Sequence, residues 1–162
     1  MKKITALLLS VMMLISVSAC GGSSSSSEDS RLDSTPLTDL MAEILDGVAD
    51  LPDPLLDTDL TTDEMKQSFP YVAFTDYIDG MEAVSSDAAI NAIAHSVVLL
   101  RVPEGTDVQE IADDIEANAD PRKWLCVEAE KVSVSTNGRL VLLVMSSEAT
   151  TDAITENFLA LK

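Results

Sequence analysis

The dipeptide Asn137-Gly138, set between the strand-like stretch 125–135 and the apolar run 139–145, constrains the fold more than any other feature of the chain. Asn-Gly is the favoured pair for a type I′ turn, whose two central residues need positive φ and whose twist matches that of paired strands. Val132 and Val134 alternate on one side and Val and Leu fill 140–144 on the other, so the region is expected to be a β-hairpin. With Asn137 and Gly138 as the loop, Thr136 faces Arg139, Val134 faces Val141 and Val132 faces Leu143. Successive side chains point to opposite faces of a strand. One face of the hairpin is therefore apolar, and Leu140, Leu142 and Val144 make the other face of the returning strand apolar too. Such a sheet needs shielding on both sides.

The surrounding sequence supplies the cover. Residues 92–102 are apolar and β-branched enough for a central strand, stopped by Pro103-Glu104-Gly105. Thr106 is expected to cap the next helix, with Gln109 at the capping-box position. Val108, Ile111, Ala112 and Ile115 form its buried stripe, and Asp120-Pro121 closes it. Ser147 caps a last helix that turns Ile154, Phe158 and Leu161 inward. The order β-α-β-β-α predicts an α+β fold with a mixed, mostly antiparallel sheet, one parallel pair arising from a right-handed crossover. Helices then cover one face.

An additional N-terminal amphipathic helix is expected from Thr35-Pro36. Leu37, Leu40, Met41, Ile44, Leu45 and Val48 recur at helical spacing, and Leu51-Pro52-Asp53-Pro54 ends the pattern. This helix is positioned to cover part of the second sheet face. Thr61 and Glu64 suggest a short helix over 62–68, broken by Phe69-Pro70-Tyr71. Residues 77–84 read as a strand with a bulge at Gly80.

The first twenty residues address location. Lys2 and Lys3 precede an apolar run over 4–15, and small residues lead to Cys20. This is the layout of a secretory signal peptide, and the run is shorter than the ~20 residues a spanning helix needs. Val17-Ser18-Ala19-Cys20 resembles the bacterial lipobox, in which the cysteine is diacylated and becomes the new N-terminus. Two acyl chains hold a protein stably on a bilayer, where one binds only marginally. The Gly/Ser-rich stretch after Cys20 reads as a flexible tether, ten residues of which span roughly 16–19 Å. The expected organisation is a signal peptide over 1–19, a lipidated Cys20 with its tether over 20–34, and a single α+β domain over 35–162.

Charge and cysteine content narrow the partners. The chain carries 28 Asp and Glu against 10 Lys and Arg, a formal net charge of -18. Such a surface repels nucleic acid and anionic headgroups, so the lipid must provide the membrane attachment. With Cys20 lipidated, Cys126 has no cysteine to pair with inside the chain. Between Leu125 and Val127 it is expected to be buried in a strand and inert, the alternative being a reactive thiol activated by the nearby Arg122 and Lys123.

The runs His95-Ser96-Val97-Val98-Leu99-Leu100-Arg101-Val102, Asp120-Pro121-Arg122-Lys123-Trp124-Leu125-Cys126-Val127 and Asn137-Gly138-Arg139-Leu140-Val141-Leu142-Leu143-Val144, with the helix over 108–118, extend the pattern. Together they resemble an uncharacterised bacterial lipoprotein family with a lipobox, a low-complexity tether and one small α+β domain of unknown function. The resemblance covers roughly residues 37–160. It implies a fold and an extracytoplasmic, lipid-anchored location, and it brings no catalytic residue with it.

Chemistry-bearing constellations are sparse. The sole histidine, His95, has Ser96 as its chain neighbour, but adjacent strand residues point to opposite faces. No Gly-x-Ser-x-Gly elbow is present. One His and one distant Cys do not make a zinc site. Asp76 and Asp79, flanking Tyr77, are the candidate pair for a carboxylate-based hydrolase of cell-envelope glycan. Asp50, Asp53, Asp57, Asp59, Asp63 and Glu64 crowd one stretch and offer oxygens for calcium, without the EF-hand order. No cofactor is expected. Pro121-Arg122-Lys123-Trp124 is the expected recognition element, because Trp and Arg are enriched at binding hot spots. The competing reading makes Trp124 a core anchor with the stems of Arg122 and Lys123 lying over it. The reading as a whole is a membrane-anchored binding or envelope-accessory module, whose partner is an envelope protein or a small ligand. The alternatives are the carboxylate hydrolase and a calcium-stabilised interaction domain.

Overall fold

A computed structural model describes residues 31–162. The stretch read as a signal peptide, Cys20 and most of the expected tether lie outside the described residues. The chain forms α1 (Leu37–Leu45), β1 (Leu55–Asp59), a 3₁₀ turn (Met65–Gln67), α2 (Phe69–Val72), β2 (Glu82–Ala88), β3 (Ser96–Arg101), α3 (Val108–Asn118), β4 (Lys131–Asn137), β5 (Leu140–Ser146) and α4 (Glu148–Ala160). The fold is α+β.

The five strands lie in the order β1-β2-β3-β5-β4, and every neighbouring pair is antiparallel. The expected parallel pair is absent. β3 and β4 do run in the same direction, but β5 lies between them. Composition explains the order. All residues of β3 and β5 are buried, so these strands take central places. β4, with the sequence KVSVSTN, is half-buried throughout and takes an edge.

The hairpin forms, with its loop one residue later than Asn-Gly predicts. Asn137 pairs with Leu140, so Gly138 and Arg139 make the loop. Gly138 takes a φ of +58° and Arg139 is not among the positive-φ residues, as a type II′ turn requires. Moving the loop by one residue moves each pair by two, to Thr136–Val141, Val134–Leu143 and Val132–Met145. A shift of two preserves the faces, so the expected apolar patterns survive. Asn137 has a different duty. Its side-chain amide donates to the carbonyls of Phe158 (3.1 Å) and Leu161 (3.3 Å) at the end of α4.

Helices cover both faces of the sheet. On one, Val98, Leu100, Val141, Leu143 and Met145 pack with Ile111, Ala112 and Ile115 of α3 and with Phe69. On the other, Val97, Leu99, Leu140, Leu142 and Val144 meet Leu40, Met41 and Ile44 of α1 and Ile154 and Phe158 of α4. On this second face α1 and α4 lie together over the sheet.

Several local expectations give way to identifiable physical causes. Asp107, not Thr106, caps α3, accepting from the amides of Gln109 (3.0 Å) and Glu110 (3.3 Å). The helix expected over 62–68 shrinks to the 3₁₀ turn, and Pro70 opens α2 instead of only breaking what precedes it. The strand expected over 77–84 begins at Glu82, because Gly80 (φ +85°) belongs to a turn closed by the Met81 amide on the Ile78 carbonyl at 2.9 Å. The strand expected over 125–135 begins at Lys131. Its partner β5 ends at Ser146, where Ser147 caps α4, so residues 125–130 have no strand to pair with.

Residues 31–34 are helical, and Leu32 is buried at 3% exposure, so the domain begins before residue 35. The buried Arg101 holds this segment: Nη2 donates to the Leu32 carbonyl at 2.8 Å and Nε at 3.2 Å. Arg101 also pairs with Glu82, its neighbour across β2. Nearby, Arg139 Nε donates to Asp33 Oδ1 at 2.9 Å and Arg31 Nη1 to the Lys162 carbonyl at 2.7 Å.

Candidate functional site

The segment between α3 and β4 carries the residues singled out from the sequence. Asp120 organises it. Its carboxylate accepts from the Arg122 amide at 2.9 Å and its carbonyl from the Lys123 amide at 3.1 Å. The Ala129 amide donates to the Pro121 carbonyl at 2.9 Å, which closes the loop. Trp124 is half-buried against the cluster on the α3 side of the sheet.

Lys123 lies over this face of the sheet. Its ammonium donates to Ser96 Oγ at 2.7 Å and to Asp87 Oδ1 at 3.4 Å, and sits 5.1 Å from the centre of the Trp124 ring. Asp87 and Ser96 are direct neighbours across β2 and β3. Burial pushes the Lys123 pKa below its ordinary value, and Asp87 opposes that shift. Lysine and tryptophan therefore come together with two partners that local sequence pattern does not identify. Register identifies them once β2 is located, but Ser85, Ser86 and Asp87 hide that strand. Arg122 stands apart, with Nε 3.7 Å from Asp120.

The loop continues outward. Leu125 is fully exposed, and Cys126 is an exposed free thiol, not the buried strand residue expected. Together with Arg122, Trp124, Val127 and Glu128 they line a shallow depression of about 370 Å³. Leu56, another half-exposed apolar residue, pairs with Asp87 on β1 and extends the corner.

His95 is fully buried and its Nδ1 lies 2.9 Å from Ser146 Oγ, the residue opposite it on β5. Nε2 has no hydrogen-bond partner among the described residues. Burial lowers the His95 pKa below 6.5, Asp87 opposes the shift and Lys123 adds to it. A serine and a histidine do meet here, but both are buried, and Ser96 faces the other side of the sheet toward Lys123.

The acidic candidates disperse. Asp76 lines a depression of about 380 Å³ with Asp114 and Asn118, and Asp79 is not part of its lining. Tyr77 stacks edge-on against Phe69, their ring centres 5.4 Å apart. Asp57 and Asp59 belong to β1, where Asp59 accepts from the amide and hydroxyl of Thr61. Among the described residues no three His, Cys, Asp or Glu side chains gather as a metal ion would require. No described helix is long and apolar enough to cross a membrane. Comparison with family models, with curated proteins and with solved structures gave no match.

Proposed function

We propose that this protein is a lipid-anchored, extracytoplasmic binding module that presents the Trp124 corner to a protein partner in the cell envelope. The leader ending in Val17-Ser18-Ala19-Cys20 and the Gly/Ser-rich stretch after it support the anchor and the tether. The observation that carries the binding role is Leu125, fully exposed beside a half-buried Trp124 on a loop tied down at both ends. Trp124 and the neighbouring Arg122 supply residue types enriched at interface hot spots, and Leu125 adds exposed apolar surface to the same depression.

Two measurements test the reading. Mass spectrometry of the membrane fraction should find the diacylglyceryl adduct on Cys20, and Cys20→Ala should release the protein from the membrane. Capture from native envelopes should retain a partner that is lost with Leu125→Ser. A partner indifferent to Leu125→Ser and Trp124→Ala would return the corner to a purely structural role.

A further inference from the structure

The outer edge of β4 forms a second, independent surface. β4 is the last strand of the sheet, and its seven residues pair continuously with β5, without bulge or proline. In a hairpin with a two-residue loop, the closing pair Asn137–Leu140 exchanges both of its hydrogen bonds. Alternation then turns the N–H and C=O groups of Val132, Val134 and Thr136 away from β5, about 7 Å apart along the strand. Exposed edges are usually guarded by charge, proline or a bulge. β4 has one charge, Lys131, and that ammonium is bound by Asp152 of α4. The opposite edge is better guarded: β1 carries Asp57 and Asp59 and follows Pro54.

This edge lies in a groove. Gln109, Ala112 and Glu116, one stripe of α3 at helical spacing, wall it on one side, and Leu159 of α4 walls it on the other. Val134 and Thr136 form part of its floor, and the volume is about 280 Å³. Helices from both faces of the sheet reach this cavity, so it wraps around the strand's free edge. Leu159 is more than half exposed and offers an apolar contact. Charge selects the occupant. α3 reads VQEIADDIEAN, without one basic residue, and Glu116 stands in the wall. A second copy of this chain, at -18, would be repelled.

We propose that the β4 edge captures an extended, positively charged polypeptide segment, which adds to the sheet as a sixth strand between α3 and α4. Main-chain hydrogen bonds to Val132, Val134 and Thr136 supply affinity, the acidic wall at Glu116 selects basic residues, and Leu159 receives an apolar one.

The test uses the full chain and a fluorescent nonapeptide of alternating Lys and Val. A control of the same sequence is N-methylated on the backbone edge that would meet β4. Anisotropy should show the control binding about tenfold more weakly, the scale of losing one or two main-chain hydrogen bonds. Hydrogen exchange of the complex should slow at Val132, Val134 and Thr136, and Glu116→Lys should weaken binding while leaving Leu125-dependent capture intact. Equal binding of the two peptides would reveal plain attraction to an acidic surface and overturn the proposal. So would unchanged exchange along β4, or a peptide-free dimer joined through this edge.

Discussion

The guanidinium of Arg101 donates through Nη2 to the main-chain carbonyl of Leu32 at 2.8 Å, across 69 positions of sequence. A buried cation on the last residue of β3 thereby fixes the segment by which the chain enters the domain. Two neighbours complete the arrangement, Glu82 as the counter-charge and the Thr35 carbonyl as a further acceptor. Replacing Arg101 leaves the inward carbonyl of Leu32 without its donor.

Arg101→Ala should therefore destabilise the fold by about 2–4 kcal/mol, the range for losing one member of a buried charged network. Arg101→Lys should recover only part of this, because an ammonium cannot reproduce the planar fork that meets Leu32 and Thr35 together. Urea unfolding reads the loss. Limited proteolysis should show earlier cleavage around residues 31–35 in both variants.

His95 should make stability fall as the pH drops through about 6.5, the ordinary histidine value. Burial holds its folded-state pKa below 6.5, so the unfolded chain takes up the proton first as the pH falls. The unfolded state then binds more protons, and stability drops with falling pH until the folded-state pKa is passed. His95→Gln should flatten this decline. An equal slope in the variant would assign the effect to carboxylates.

Asn137 and Gly138 should separate cleanly. Gly138→Ala places a side chain at a φ of +58° and should cost about 1 kcal/mol. Asn137→Gly should also cost about 1 kcal/mol, through the hydrogen bonds to Phe158 and Leu161 that close α4. A type I′ turn at Asn137-Gly138 would make Asn137→Gly nearly neutral, so thermal unfolding of this one variant distinguishes the two roles.

Leu125→Ser should leave the melting temperature within the scatter of surface changes, about 0.5 kcal/mol, because the side chain is fully exposed. Trp124→Ala should lower stability measurably, since the indole packs on the core and its face meets Lys123. The pair thus tells apart loss of binding from loss of fold.

What the sequence made legible was local and periodic. The α1 stripe, the α3 stripe and the apolar alternation of β5 each announce themselves within a dozen residues. The hairpin is equally visible, although Asn137 sits there for the end of α4 and not for the turn. β2 is harder, because Ser85 and Ser86 are polar residues buried at 2% and 0%. Residues 125–129 mislead in the opposite sense. They have strand-like composition, but strand formation needs a partner, and β5 has already ended. The corner inherits both difficulties: Trp124, Lys123 and Arg122 are visible in the sequence, whereas Asp87 and Ser96 emerge only from the register of β2 and β3.

The contacts of Arg31, Asp33 and Arg101 give the domain two poles. The entering chain, the Gly138 loop and the last residue, Lys162, crowd around the Arg101 end of β3. Lys123 grips the other end, at Ser96. The six residues of β3 separate them by about 17 Å at ~3.4 Å per step. On the proposed anchoring through Cys20, the tether would meet the domain at the Arg101 pole, with the Lys123 grip beside Trp124 at the opposite end of β3.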